Sequence, residues 1–170
     1  KKGWLYRVDR TTGALTAIGQ TDGKGVMALT FRSDTTLWGW VEGTGLIQID
    51  PTTAKATVVA KNTAKFEGLA WALNGKLYLA RDKTLTEYNP TSKTFTPYAT
   101  NLPTGTEALD MLANGRLVGA ARDTKLTLFS YNLTTKQVTS TKTLSGAAGF
   151  SLKSMEGLTW HASLTPPPGF

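Results

Sequence analysis

Residues 66–80 read FEGLAWALNGKLYLA, and this stretch decides the fold. One apolar segment precedes Asn74-Gly75 and a second apolar segment follows it. Because Asn and Gly both tolerate positive φ, Asn-Gly between two apolar runs is a strong signal for a tight β-hairpin. The stretch therefore predicts two short antiparallel strands, which we call strand A (before the turn) and strand B (after it).

The same hairpin recurs along the chain at intervals of 40 residues. Its turns are the sequences SDTT at 33–36, LNGK at 73–76 and ANGR at 113–116. A further copy of the strand A sequence, MEGLTW, stands at 155–160.

A second turn repeats out of phase with the first, at Asp9, Asp50, Asn89 and Asn132, with spacings of 41, 39 and 43 residues. An Asp or Asn side chain accepts hydrogen bonds from backbone amides just ahead of it and so closes a tight turn. Alternating apolar and polar residues flank each turn, which predicts two more strands. We call them strand C (before the turn) and strand D (after it).

Four short strands in about 40 residues are the repeat of a β-propeller blade. We therefore predict an all-β β-propeller over residues 1–164, with three full blades, a split or incomplete fourth, and a proline-rich tail at 165–170. A β-sandwich or a β-solenoid is the alternative. The predicted repeat units are residues 1–20, 21–60, 61–100, 101–145 and 146–164.

The incomplete blade begins as strands C and D and ends as strand A, so its strand B is missing. An unpaired strand edge is a template for pairing, and we expect the two ends to share one sheet or another protein chain to complete it. Since the sequence opens at Lys1 without Met, we also expect it to be a piece of a longer product.

Composition narrows the classes of function. The 170 residues include 29 Thr, no Cys and one His, with a net charge of +7. These counts exclude disulfide scaffolds, thiol catalysis and clusters of His ligands, and no apolar run is long enough for a membrane span. The basic residues are scattered along the chain, which argues against nucleic acid as a partner, although an anionic polymer could bind a basic surface.

Residues 5–19 (LYRVDRTTGALTAIG) and 46–59 (LIQIDPTTAKATVV) resemble the repeats of secreted bacterial β-propeller proteins. Residues 66–80 also resemble the strand A–B hairpin of calcium-binding propellers of the gluconolactonase-like and phytase-like esterase groups. The resemblance implies a secreted, periplasmic or cell-surface propeller. The resemblance does not assign a complete set of metal ligands in this sequence.

An acidic residue recurs in strand A. Glu67, Glu107 and Glu156 share one repeat position, which Met27 occupies in the other copy. In a propeller strand A lines the central channel, so we expect these side chains to converge there. Like charges so placed favour a bound cation, and oxygen ligands suit Ca²⁺. Alternatively, each Glu bonds backbone amides or a basic side chain such as Lys65.

Trp38 and Trp40 alternate with Gly39 on strand B. One exposed ring could stack on a sugar, which makes both residues candidates for ligand binding. Strict alternation also places the Leu two residues beyond each Glu on the face of that Glu.

Sequence motifs typical of a catalytic site are absent. No Gly-x-Ser-x-Gly elbow, phosphate-binding loop or EF-hand sequence occurs, and we assign no catalytic residue. We expect a non-catalytic binding or scaffold module, with adhesion or surface assembly as possible roles. A calcium-dependent hydrolase of the lactonase or phosphoesterase type and a basic polyanion-binding module are the alternatives.

Overall fold

Every regular element in residues 2–144, the part of the chain that the computed structural model describes, is a β-strand. β-Branched and aromatic residues fill these strands because their side chains pack well on a pleated surface. Within these residues there is accordingly no helix that could cross a membrane. The strands are β1 (Lys2–Val8), β2 (Leu15–Lys24), β3 (Val26–Phe31), β4 (Leu37–Val41), β5 (Gly45–Ile49), β6 (Ala56–Lys61), β7 (Gly68–Trp71), β8 (Leu77–Arg81), β9 (Thr84–Asn89), β10 (Thr94–Ala99), β11 (Thr106–Met111), β12 (Leu117–Arg122), β13 (Leu126–Asn132) and β14 (Gln137–Thr143).

The strands form four antiparallel sheets in chain order. Strands β3 to β6, β7 to β10 and β11 to β14 make three sheets of four, and β1 pairs with β2 alone. Each four-stranded sheet follows the predicted order A, B, C, D, and the two-stranded sheet is a C–D pair. The all-β class and the four-stranded repeat are thus confirmed. Closure of the sheets into a ring stays a prediction, because the fourth strand A sequence and the tail lie outside the described residues.

The predicted turns are confirmed by their hydrogen bonds. Asp50 Oδ1 accepts the backbone amides of Thr52 at 2.7 Å and Thr53 at 3.2 Å, and the same pattern occurs at Asp9, Asn89 and Asn132. In the A–B turns, the side chains of Asp34, Asn74 and Asn114 each accept the amide two residues on. Asx side chains therefore set the hairpins, as the sequence predicts.

The fifth residue of each C–D turn has a left-handed backbone. Its φ is 72° at Gly13, 61° at Ala54, 56° at Lys93 and 55° at Lys136. Only glycine adopts this conformation without a steric cost between Cβ and the backbone. Three of the four turns thus hold a strained residue.

The contacts divide the chain into two compact units, Lys1–Lys65 and Phe66–Phe170. In unit 1 the β1–β2 sheet packs on the β3–β6 sheet, where Leu5 lies against a cluster of Leu37, Val41, Ile47 and Ile49. In unit 2 the β7–β10 and β11–β14 sheets share a larger buried cluster: Ala70, Ala72, Tyr78, Ala80, Leu85, Leu102, Leu109, Leu117, Ala121, Phe129 and Tyr131.

Candidate functional site

Three of the residues predicted to line a channel lie in the described part of the chain: Met27, Glu67 and Glu107. They occupy one place in their sheets, the edge where strand A begins and strand B ends. We call this the A–B edge. Met27 and Glu107 each sit at an irregularity in the pairing, as an extra residue in strand A between two consecutive partners on strand B. Glu67 directly precedes β7, and its amide donates to Ala80 O at 3.0 Å. The repeat position is therefore a β-bulge, which re-aims the side chain it carries.

The bulge alters one sequence-based expectation. Strict alternation predicts that Leu109 shares a face with Glu107, but an inserted residue breaks the period of two between them. Leu109 is buried between the sheets of unit 2, whereas the side chain of Glu107 stays 17% exposed beside Arg122. The acid thus lies at the rim of the sheet while the Leu enters the core.

Glu107 has a basic partner. The Arg122 guanidinium donates from Nη2 to Glu107 Oε1 at 3.2 Å, across the β11–β12 hairpin. Glu107 Oε2 is buried and has no hydrogen-bond partner in the described part of the chain. This ion pair matches the alternative in which a basic side chain balances the recurring acid.

The predicted metal ligands cannot be assembled from residues 2–144. Glu67 and Glu107 fall in unit 2, and Glu156 lies outside the described residues. Within the described range no group of three or more acidic or His side chains could hold a metal ion. The Glu67, Glu107 and Glu156 calcium site therefore stays a hypothesis.

A second set of acidic residues at the A–B edge was not identified from the sequence. Glu42, Asp82 and Asp123 each directly follow strand B in their sheets, and all three are exposed. Their spacings of 40 and 41 residues are the signal that could have revealed them. Each four-stranded sheet thus presents an acid in its B–C turn.

Asp82 has a structural partner within unit 2. Its Oδ1 accepts the Gly105 amide at 2.8 Å, and its backbone oxygen accepts the Thr106 amide at 3.2 Å. The side chain holds the start of β11 beside the B–C turn of the preceding sheet. Its carboxylate is engaged in this way, which makes it a fixed element of the edge.

An open pocket of about 420 Å³ lies at the A–B edge of the β3–β6 sheet. That volume lies within the usual range for small-molecule sites. The pocket is lined by Gly25, which directly precedes strand A, by Met27 of strand A, by Glu42 and Gly43 of the B–C turn, and by Thr63 after strand D. The pocket thus combines one carboxylate, one hydroxyl and two glycines, where the backbone is open to a ligand.

The proposed stacking role of Trp38 and Trp40 does not agree with their positions. The two residues are 6% and 0% exposed. Trp38 Nε1 donates to Thr36 Oγ1 at 2.8 Å, and Trp40 Nε1 donates to Ala64 O at 3.1 Å. All five residues of β4 are buried, so neither ring is available for a sugar.

Comparison with known proteins shows the fold and no family. No protein-family profile and no curated protein matches the chain. Among solved structures, hydrazine synthase of Kuenenia stuttgartiensis aligns with a TM-score of 0.60 and 12% identity over 83% of this chain and 43% of its own. An auxiliary nutrient binding protein of Bacteroides ovatus aligns with a TM-score of 0.59 and 13% identity over 85% and 42%.

A second auxiliary nutrient binding protein, from Bacteroides thetaiotaomicron, aligns with a TM-score of 0.56 and 14% identity over 83% of this chain and 36% of its own. The chain therefore spans less than half the length of these neighbours. The sequence identities are low, so the likeness concerns the arrangement of β-strands alone.

Proposed function

We propose that this chain is a non-catalytic, extracytoplasmic binding protein whose ligand site is the pocket at the A–B edge of the β3–β6 sheet. The observation that carries the proposal is the lining of that pocket. Glu42, Thr63 and the backbone at Gly25 and Gly43 place several hydrogen-bonding groups around one open cavity. The sequence contains no recognisable motif that pairs a nucleophile with its base for hydrolysis.

The chemistry of the lining favours a polyhydroxylated ligand, that is, a small carbohydrate. A carboxylate accepts hydrogen bonds from two adjacent sugar hydroxyls, and a Thr hydroxyl both donates and accepts. The same carboxylate repels anions, which disfavours an anionic polymer at this position. The structural likeness to two proteins described as nutrient-binding supports a binding role.

An extracytoplasmic location is part of the proposal. The Thr-rich strands and the resemblance to secreted propeller repeats support it, as does a neighbour described as an extracellular domain, which aligns with a TM-score of 0.51.

Calorimetric titration of the full chain with a panel of neutral mono- and disaccharides tests the site. We expect Glu42→Gln to weaken binding at least tenfold and to leave the unfolding midpoint unchanged, because Glu42 is exposed. Asp123→Asn is the matched control, since it changes the acid of another B–C turn outside the pocket. Equal weakening by both variants, or no binding by the parent chain, would remove carbohydrate from consideration.

A calcium-dependent activity is the second candidate, favoured by the buried, unpartnered Glu107 Oε2. A cation shared by Glu67, Glu107 and Glu156 would satisfy that oxygen. Metal analysis of the purified chain and of Glu107→Gln tests it. Stoichiometric Ca²⁺ that is lost in the variant would support the site, and a parent chain free of metal in calcium-containing buffer would refute it.

A further inference from the structure

The two-stranded sheet of unit 1 has an open edge. One side of β1 pairs with β2, and no strand of residues 2–144 pairs with its other side. In the other three sheets strand B pairs with strand C at this place, and strand A lies beyond B. Within residues 2–144, no strand therefore occupies the strand A and strand B positions beside β1.

In unit 2 strands occupy the two equivalent positions, and their contacts with the next sheet can be described. There β7 and β8, the A–B hairpin of one sheet, contact β11 of the next. Gly68 lies so close to β11 that an added Cβ would stand 3.0 Å from Leu109 Cγ. Leu109 shares a buried cluster with Ala70 and Ala80 of that hairpin and is 4% exposed. The small residues of the β7–β8 hairpin thus leave space in which Leu109 of β11 packs.

The matching face of unit 1 is uncovered. Leu29 is the repeat equivalent of Leu109 and is 47% exposed, and Phe31, the equivalent of Met111, is 61% exposed. One inter-sheet contact is common to the two units. Leu5 packs on the cluster that holds Leu37 and Ile49, and its repeat equivalent Leu85 shares a cluster with Leu117 and Tyr131. The exposed face of β3 is therefore the part of an inter-sheet core that no hairpin of residues 2–144 covers.

We propose that the free edge of β1 and the exposed face of β3 form a docking surface for a β-hairpin of the A–B type that a partner chain supplies. The partner strand next to β1 adds backbone hydrogen bonds by extending the sheet. The inner strand places glycine over Leu29 and small residues around it, as Gly68 and Ala70 do in unit 2. β3 carries no charged residue, so the docking face of the partner is apolar. Leu29 and Phe31 do not line the ligand pocket.

A synthetic hairpin with the sequence of residues 66–81 is the probe, labelled at its C-terminus and titrated against the full chain by fluorescence anisotropy. We expect saturable binding. Leu29→Asp and Phe31→Asp should each weaken it at least tenfold and still fold, because both side chains are exposed. Leu73→Asp, which changes a 73% exposed side chain in the β7–β8 turn, is the control and should bind as the parent does.

The contact itself can be trapped, because the chain has no Cys. A peptide carrying Gly68→Cys should form a disulfide with Leu29→Cys chain and none with Leu73→Cys chain. A peptide carrying Gly68→Leu should bind at least tenfold more weakly, since its side chain would overlap Leu29.

Three results would overturn the proposal. The first is equal binding of the Gly68→Leu and parent peptides. The second is a Leu29→Cys thiol that does not react with a small reagent in the native full chain, which would mean that the chain covers its own surface. The third is a dimer in sedimentation that Leu29→Asp dissociates, which would assign the surface to a second copy. Failure of these tests leaves the sugar titration unaffected, so the two proposals fail separately.

Discussion

The inter-sheet cores of the two units are built from the same repeat positions and differ in how complete they are. In unit 2 the strand A and B positions of the first sheet are filled, and Leu109 is buried in a cluster with residues of both sheets. In unit 1 no strand of residues 2–144 fills those positions, and the cluster holds residues of strand C and of the facing sheet. The same apolar side chain is thus core in one unit and surface in the other.

The comparison separates two contributions to stability: that of a residue's position in its own strand, and that of the side chains packed against it. Leu29 and Leu109 have equivalent positions in their own strands and pair with the equivalent residues Gly39 and Gly119 on strand B. Local structure is therefore alike, and only burial differs. The hydrophobic effect depends on area removed from water, so the two positions should differ in stability even though their strands do not.

Truncation of the two leucines should give the largest difference in the free energy of unfolding between the two units. We expect Leu109→Ala to lower the free energy of unfolding by about 2–5 kcal/mol, because it leaves a cavity in a packed core. Leu29→Ala should cost less than about 1 kcal/mol, since about half of the side chain is already in water. Chemical denaturation of both variants measures this. Equal losses would show that Leu29 is covered in solution.

Sequence reasoning predicted the strands and turns of both units because their causes are local. Alternation and Asx turns act over a few residues, which is how the seven hairpin turns and the A–B–C–D order could be read. The bulges at Met27 and Glu107, the burial of Trp40 and the pocket at Glu42 depend on pairing between strands and packing between sheets. Those contacts join residues far apart in the chain, and the repeat alone does not specify them.

The close approach of Gly68 to Leu109 provides the next test. Gly68→Ala should destabilise the chain by about 1–3 kcal/mol, because a methyl group does not fit without displacing Leu109 or its backbone. The Leu109→Ala substitution removes the contact with Leu109 Cγ at 3.0 Å but keeps the backbone contacts with Leu109 N and Ala108 C. It should relieve part of the cost, so the two substitutions should cost somewhat less together than their sum. A double-mutant cycle measures this coupling. Strict additivity would mean that the two residues do not touch.

A smaller pair of effects is expected at the fifth residue of the C–D turns. Gly13→Ala in unit 1 should destabilise by roughly 1 kcal/mol, because it places a Cβ on a left-handed backbone that has open space around it. Lys93→Gly in unit 2 should stabilise by about 0.5–1 kcal/mol by removing the same strain. Thermal unfolding compares them. Effects of the same sign would contradict a cost due to backbone conformation.

The smallest expected effect is a difference in acid sensitivity between the C–D turns of the two units. Unit 1 closes these turns with Asp9 and Asp50, and unit 2 closes them with Asn89 and Asn132, which do not titrate. The Thr52 hydroxyl and amide, which donate to Asp50, lower the pKa of its carboxyl from 3.8 to about 2. Amides of Thr12 and Thr11 likewise lower the pKa of Asp9.

A carboxyl whose pKa is lower in the folded than in the unfolded chain stabilises the fold above the unfolded value. That contribution is complete above about pH 4 and is lost as the pH falls toward 2, the folded pKa of Asp50. Asp50→Asn should therefore reduce the change in unfolding midpoint between pH 5 and pH 2.5, whereas Asn89→Asp should enlarge it. Carboxyl chemical shifts give the pKa of Asp50 directly. A value near 3.8 would mean that the turn does not hold its charged form, and the two kinds of turn would then be equivalent.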